Sequence, residues 1–316
     1  MGRTSPRWPP QLAGALPSVL EPPPARPWSQ PPAHRGNQPP TQPRLQSWTT
    51  TDLNAGIERY MAHLRQSGRL AADERTAWLV YDFTSRRYLI DDQRRRALSE
   101  RQHDQAVYRP GLFQQGARGP SCNTRPFHRQ RMEAMIQHSD NSATNYFIEL
   151  LNRTSRRSGP AEAEHTLKQR HPGVFRQTRI VERIPAGGRS YRNKASALDY
   201  HRFLQAIWYD QLPYSGELKR LMGLPNRDRI YTGATGVARQ TWVFDKTGTT
   251  ARLCGDMGIL VARGRDGRHY PYTFIGIIEK ARPARNYVAW MNARGDVIRE
   301  VSGMVYRHLR QMHDLV

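Results

Sequence analysis

Strand-like patterns occur near both ends of this chain, and helical patterns fill the interval, which restricts the folds it can adopt. The stretch "AWLVYDFTSRRYLI" (Ala77–Ile90) is rich in β-branched and aromatic residues and is broken at Thr84-Ser85, so it predicts a hairpin. "QTWVFDKTG", "GDMGILVAR" and "YPYTFIGIIEK" predict three late strands, the last two joined by the Asp-Gly turn at 266–267. We therefore predict an α+β domain whose terminal segments share one antiparallel sheet.

The helical patterns lie before, between and after these strands. "TTDLNAGIERYMAHLRQSG" spaces apolar residues at i, i+4 and i+7, with Thr51 or Asp52 as a start signal and Gly68 as a stop. From Arg131 onward, short apolar faces flank Ser139 on both sides. "KASALDYHRFLQAIWYDQLP", "SGELKRLMGL" and the C-terminal segment predict three more helices.

Proline marks a separate N-terminal region. Residues 1–50 hold 13 of the 23 prolines, and proline removes backbone donors and is excluded from helix interiors. The predicted organisation is a disordered tail over residues 1–50 and one domain over residues 51–316, a chain length that can bury a real core.

The net charge of +22 raises the alternative of a basic nucleic-acid-binding protein. Of the 49 basic residues, five are lysines and the other 44 are arginines, scattered from end to end rather than gathered on one segment. A GC-rich genome also produces this bias, because arginine codons are GC-rich. We therefore expect no nucleic-acid partner, and steeply salt-dependent DNA binding would indicate the opposite.

Several other classes of protein fit the sequence poorly. The two cysteines, Cys122 and Cys254, lack metal-ligand spacing, so neither a metal nor a cofactor is expected. No apolar run approaches the ~20 residues of a membrane span. The N-terminus shows no apolar signal-peptide core, so the sequence taken literally predicts a cytoplasmic protein.

Two polar triplets carry the strongest functional signal. Ser139-Asp140-Asn141 stands between two helical patterns, and Lys246-Thr247-Gly248 stands at a strand end, 107 positions after Ser139. Each triplet has a purely structural explanation, because serine is a common helix N-cap and a strand often ends in such a turn. Their joint occurrence in this order is much rarer than either alone.

The pair resembles the S-D-N and K-T-G motifs of class A serine β-lactamases and their penicillin-binding relatives. The resemblance covers roughly residues 52–313, and "IPAGGR" (184–189) is similar to the segment after that family's Ω-loop. It implies a β-lactamase/transpeptidase-like fold, a monomer, and acyl transfer through a serine ester. The implied ligand is a β-lactam or a peptidoglycan peptide ending in D-Ala-D-Ala. The implied location is the periplasm or the exterior of a bacterial cell.

The resemblance also implies roles for the residues of both triplets. Lys246 is expected to place a cation near the substrate carboxylate and near Ser139, which would relay a proton to the leaving nitrogen. Asn141 and the hydroxyl of Thr247 would bind substrate, and Gly248 would let it approach the strand. The other expected roles are an oxyanion-hole N–H from Thr249, loop support from Asp140 and possible carboxylate binding by Arg252.

One required motif is missing from its expected place. The family nucleophile lies in S-x-x-K, but residues 91–130 contain no lysine and show no sustained periodicity. Reading the degenerate codons for Gln102–Gln115 one base later permits a string that begins S-M-I-K at the head of an apolar helix. We therefore hypothesise a compensated frameshift that rejoins the frame before about Arg131, and little or no catalysis by this chain.

The position at which the family spacing places the deacylating glutamate of class A enzymes holds no glutamate either. The family spacing from Ile184-Pro185 falls at or beside Gln177, and the nearest carboxylate belongs to Glu182. A slow acyl-enzyme or a peptidase-like relative fits equally well. A non-catalytic protein that binds β-lactams or wall peptides is the remaining alternative.

Overall fold

The computed structural model describes residues 50–92, 126–185 and 192–316, and within these ranges it contains seven helices and five strands. The helices are α1 (Thr50–Gln66), α2 (Pro126–Gln137), α3 (Asn141–Thr154), α4 (Gly159–Arg170), α5 (Ala197–Trp208), α6 (Ser215–Met222) and α7 (Tyr287–His313). The strands are β1 (Glu74–Asp82), β2 (Arg87–Asp91), β3 (Trp242–Thr249), β4 (Leu253–Arg263) and β5 (His269–Lys280).

The five strands form one antiparallel sheet in the order β2-β1-β5-β4-β3. Strand β1 pairs with β5, which confirms that segments from the two ends of the chain share a sheet. At this junction Trp78 lies opposite Gly276, where an added Cβ would stand 2.7 Å from the indole ring, so only glycine leaves room for it. The predicted α+β class and the predicted hairpin are both confirmed.

Apolar side chains cover both faces of the sheet, so the domain has two cores. Met257 and Ile259 of β4 face helices α2 to α6, whereas Leu260 and Ala262 pack beside α1 and α7. Successive side chains of a strand point to opposite faces, which explains why β4 is buried along almost its whole length. The site described below lies on the α2–α6 side of this sheet.

A buried ion pair fixes α7 to β1. Both carboxylate oxygens of Glu74 accept hydrogen bonds from Arg294, at 2.8 Å from Nε and 2.6 Å from Nη2. The Trp290 indole N–H also donates to Glu74. Burial alone would raise the pKa of Glu74, but the hydrogen bonds from Arg294 and Trp290 hold that pKa below its usual range.

The structure corrects one predicted boundary. The helix expected from Arg131 begins at Pro126, so residues 126–130 of the predicted aberrant segment form the start of α2. Proline is accepted in a first helical turn because its missing N–H has no intrahelical partner there, and the polar side chains that follow obscured the pattern. The rest of that segment, 93–125, and the predicted tail, 1–49, lie outside the described residues, so the domain boundaries remain predictions.

Candidate active site

The two polar triplets meet in space. Lys246 lies on β3, Ser139 lies in the short connection between α2 and α3, and the Lys246 ammonium donates to the Ser139 hydroxyl. The same ammonium donates to the Thr247 carbonyl at 2.7 Å, and the Lys246 residue is only 3% exposed. Residues 107 positions apart in sequence therefore form one polar contact between the sheet and the helices.

The α2–α3 connection turns the Ser139 side chain toward β3. Ser139 has a φ of 56°, in the left-handed region that non-glycine residues seldom adopt. The N-cap of α3 is Asp140, whose Oδ1 accepts from the Ala143 N–H and from the Ser142 hydroxyl, both at 2.7 Å. The helix-cap interpretation of Ser139 is therefore wrong, and the loop-supporting role of Asp140 stays a prediction.

Hydrogen bonds keep the Asp140 carboxylate ionised. The Ala143 N–H and then the Ser142 hydroxyl lower its pKa below the usual range of aspartate, against the small opposing effect of burial. A negative charge at this point interacts favourably with the N-terminal end of α3. Asn141, the first residue of that helix, is exposed to solvent.

Strand β3 forms an edge of the sheet, so one side of its backbone is not paired with another strand of the described part of the chain. Side chains alternate along the strand. Lys246 and Gly248 therefore share the face of the sheet that packs against α2 to α6, and Thr247 and Thr249 share the face that packs against α1 and α7. A small cavity of about 20 Å³ on the α2–α6 side of the sheet is lined by Tyr200, Lys246 and Gly248. An extended ligand can therefore run along the edge and meet groups from both faces.

Arg229 is a site residue that the sequence interpretation missed. Its guanidinium donates to the Thr249 hydroxyl at 2.9 Å and to the Gly255 carbonyl at 3.1 Å. Arg252, the candidate chosen from sequence, directs its guanidinium to the Ala281 carbonyl instead. Arg229 lies in the loop before β3, 20 positions from Thr249, and no motif in the sequence marks it.

Two buried carboxyl groups lie next to Lys246. Asp245 accepts from the Asn226 amide at 2.8 Å through Oδ1, and Asp256 accepts from the Arg229 N–H at 2.6 Å through Oδ2. The other oxygen of each carboxyl, Asp245 Oδ2 and Asp256 Oδ1, is buried without a hydrogen-bond partner among the described residues. Burial raises the pKa of Asp256 to about 7 and holds that of Asp245 well above its usual value.

The segment between α4 and α5 contains the residues considered for deacylation. The Gln177 N–H donates to Asp199 at 2.8 Å, so its backbone is tied to α5. Glu182 pairs with the exposed Arg192 at 3.3 Å. Further on, Asn145 of α3 binds both backbone groups of Ile184.

Most of the interval in which the family nucleophile is expected lies outside the described residues. Ser99 and Ser121, neither of which has a lysine three places later, belong to 93–125, and Ala186–Arg189 of the "IPAGGR" segment belong to 186–191. The frameshift hypothesis therefore stays a hypothesis. Within the described ranges, no group of three or more histidine, cysteine or acidic residues could hold a metal ion, and no helix is both long and apolar enough to span a membrane.

Comparison with known proteins places these features in a family. The family model described as "Beta-lactamase enzyme family" matches residues 114–309, which is more than half of the chain. The chain belongs to the beta-lactamase enzyme family. This membership confirms the resemblance drawn from the two triplets, and a search of curated proteins found no significant match.

Solved structures with the same fold include both penicillin-binding proteins and β-lactamases. PBP-A is 19% identical with a TM-score of 0.58, over 82% of this chain and 96% of PBP-A. A β-lactamase from Desulfarculus baarsii is 20% identical with a TM-score of 0.58, over 81% and 97%. The TLA-3 extended-spectrum β-lactamase is 14% identical with a TM-score of 0.59, over 83% and 99%. Identities this low establish a shared fold alone.

Proposed function

We propose that this protein is a class A β-lactamase-like serine hydrolase whose site binds a β-lactam or a D-Ala-D-Ala-like wall peptide, with acyl transfer impaired in this chain. The observation that carries the proposal is the contact between the Lys246 ammonium and the Ser139 hydroxyl. It joins the two family motifs at the open edge of β3, where an extended amide ligand can be bound.

The ligand carboxylate is proposed to bind near the end of β3. Lys246 and Arg229 supply positive charge there, and Thr247 supplies a hydroxyl. Gly248 lets the ligand approach the backbone, and the Thr249 N–H is the proposed oxyanion donor.

The two remaining roles belong to the α2–α3 side. Asn141 is proposed to donate to the ligand's side-chain carbonyl. Ser139 is proposed to pass a proton to the departing nitrogen, since its hydroxyl already contacts Lys246.

Impairment follows from what the sequence lacks. No lysine occurs in residues 91–130 to complete S-x-x-K, and loss of one member of a nucleophilic unit removes most of its rate. Any acyl-enzyme that did form would be long-lived, because Glu182 is engaged with Arg192 and Gln177 cannot act as a base. A PBP-A variant with this fold was solved as an acyl-enzyme complex with penicillin-G.

Penicillin-G binding and turnover of a chromogenic β-lactam test the proposal together. We expect saturable binding that weakens at least about tenfold in Lys246→Met, and turnover near the uncatalysed rate. Lys219→Met is the matched control, because Lys219, on α6, pairs with Asp210 in the turn that follows α5. Binding that is unchanged in Lys246→Met, or that is equally strong for the penicillin-G methyl ester, contradicts the proposed subsite.

Three further results separate the alternatives. Binding without any acyl adduct in the intact mass favours the non-catalytic binder. DNA affinity that falls steeply with salt favours the nucleic-acid-binding alternative. Sequencing the DNA across codons 91–130 decides the frameshift, because a stop codon or the absence of S-x-x-K in the shifted frame excludes it.

The proposed place of action is the periplasm or the cell exterior, where β-lactams and wall peptides are met. The support is membership of the beta-lactamase family. Fractionation of the native host tests this, and recovery of the protein only from the cytoplasmic fraction contradicts it.

A further inference from the structure

Ser139 and Lys246 also form the arrangement that a serine nucleophile and its base require. A hydroxyl in hydrogen-bonding contact with a buried amine is the geometric signature of an activated serine. We propose that Ser139 is itself a nucleophile toward activated esters in this chain, with Lys246 as its general base. This activity uses the site of the proposed function but does not need the missing S-x-x-K serine.

The backbone presents Ser139 as a nucleophile. Its φ of 56° places the residue in a sparsely populated conformation, of the kind that recurs at active sites because it aims one side chain. Asp140 takes over the capping of α3, so that helix does not need the Ser139 hydroxyl. Ser139 is half-buried, which leaves its Oγ within reach of a ligand at the β3 edge.

The surroundings suit Lys246 as a base. The residue is 3% exposed, and a buried lysine is the kind that serves as a general base. The two neighbouring carboxyls, Asp245 and Asp256, are both held toward their neutral forms by burial. Burial therefore reduces the negative charge beside the amine, although Asp256, with a pKa of about 7, is partly ionised at neutral pH.

Other charged groups reach Asp256 and Cys254 from neighbouring elements. The loop before β3 brings Asp228 and Arg229 toward Asp256. Helix α7 brings Arg294 and Arg299 toward Cys254, on the face of the sheet opposite Lys246. On the α2–α3 side, Asp140 is ionised and occupied as a helix cap.

The proposed step is a balanced acyl transfer. Ser139 Oγ attacks the ester carbonyl carbon while its proton passes to Lys246 Nζ, and the bond from that carbon to the leaving oxygen then breaks. The leaving group departs as an aryloxide and takes up the proton from Nζ or from water, which leaves an acylated serine. Water later hydrolyses this ester to the free serine and a carboxylic acid. Aryl esters fit because their leaving groups need little proton donation.

Peptide mapping after reaction with p-nitrophenyl acetate tests the assignment. Trypsin releases Ser139 within Met132–Arg153, which also contains Ser142. We expect acetylation of this fragment at Ser139, lost in Ser139→Ala and retained in Ser142→Ala, the matched control in the same fragment. A label on Ser99 or Ser121, or an unchanged label in Ser139→Ala, overturns the proposal.

The role of Lys246 has its own readout. The acetylation rate should rise with pH as the free-amine fraction grows, and Lys246→Met should be about a hundredfold slower and lose this dependence. An unchanged rate or pH profile in Lys246→Met overturns the assignment of the base. Ser139→Cys is a second variant that keeps a nucleophile at this position, and it should be acetylated when circular dichroism shows it folded; a folded but unlabelled variant counts against the position.

The outcomes separate this inference from the proposed function. Penicillin-G binding without ester acylation overturns the Ser139–Lys246 nucleophile and leaves the proposed ligand site standing. Ester acylation at Ser139 without penicillin-G binding supports the nucleophile and contradicts the proposed ligand site.

Discussion

Asn145 holds Ile184 by both of its backbone groups. The Asn145 side-chain amide donates to the Ile184 carbonyl at 2.6 Å and accepts from the Ile184 N–H at 2.9 Å. The contact joins α3, which begins directly after Ser139 and Asp140, to the segment that precedes α5. The segment that contains Ile184 is therefore attached directly to the helix that follows Ser139.

Replacing Asn145 should loosen this segment. We expect Asn145→Ala to lower the free energy of unfolding by about 2 kcal/mol, since two partly buried hydrogen bonds are lost. Asn145→Asp keeps the acceptor for the Ile184 N–H but sets a carboxylate oxygen against the Ile184 carbonyl, so it should be at least as damaging at neutral pH. Urea denaturation measures both, and equal stability of Asn145→Ala and the unmodified chain contradicts the expectation.

The buried carboxyl of Asp256 should make stability depend on pH. Burial raises its pKa from 3.8 to about 7, so the folded state holds the proton more tightly than the unfolded state. The stabilisation is complete below pH 3.8 and is lost as pH rises to about 7. One such proton contributes a slope of about −1.4 kcal/mol per pH unit within that window.

Asp256→Asn tests this contribution together with its effect on Asp245, whose pKa the Asp256 charge also raises. Asparagine can still accept from the Arg229 N–H but does not titrate, so the variant should lack that slope. Burial also raises the pKa of Glu279 to about 7, so this residue lowers the free energy of unfolding over the same pH range in both proteins. Subtracting one pH curve from the other removes the Glu279 contribution. Chemical denaturation from pH 4 to 8 makes the comparison, and parallel curves for the two proteins contradict the assignment.

Removing only one partner of the Glu74–Arg294 pair should lower the free energy of unfolding markedly. Arg294→Met leaves a buried carboxylate without its ionic partner, and we expect a loss of about 3–5 kcal/mol. The double variant Glu74→Gln with Arg294→Met removes the uncompensated charge and should recover part of that loss. Thermal denaturation of the two variants measures the recovery, and a double variant less stable than Arg294→Met alone contradicts the charge explanation.

Local sequence patterns predicted most of the fold. Features that depend on contacts between distant residues could not be predicted in this way. The hairpin, the three late strands and six of the seven described helices follow from apolar periodicity, which burial on one or two faces imposes directly on sequence. Helix α4 was not predicted. The pairing of Ser139 with Lys246 was inferred because both belong to short motifs. The start of α2 at Pro126 was missed because its first turns are mostly polar.

Arg229 shows why the site was only partly predictable. One arginine of 44 carries no local signal, and its role depends on a loop that places it against Thr249. Arg252 was the natural choice from sequence because it follows the K-T-G triplet closely. The fold instead turns Arg252 toward the Ala281 carbonyl, a contact that no local pattern encodes.

Arg229 contacts Thr249 whereas Arg252 contacts the Ala281 carbonyl, so their replacement should affect ligand binding differently. If Arg229 supplies charge to the ligand carboxylate, Arg229→Lys should weaken penicillin-G binding about tenfold, because lysine cannot reproduce the bidentate guanidinium. Arg252→Lys is the matched control and should bind as the unmodified chain does. Calorimetric titration with penicillin-G and with its methyl ester separates the carboxylate effect from a general loss of structure, since only the free acid should discriminate between the variants. The opposite ranking, with Arg252→Lys the weaker binder, would restore the choice made from sequence.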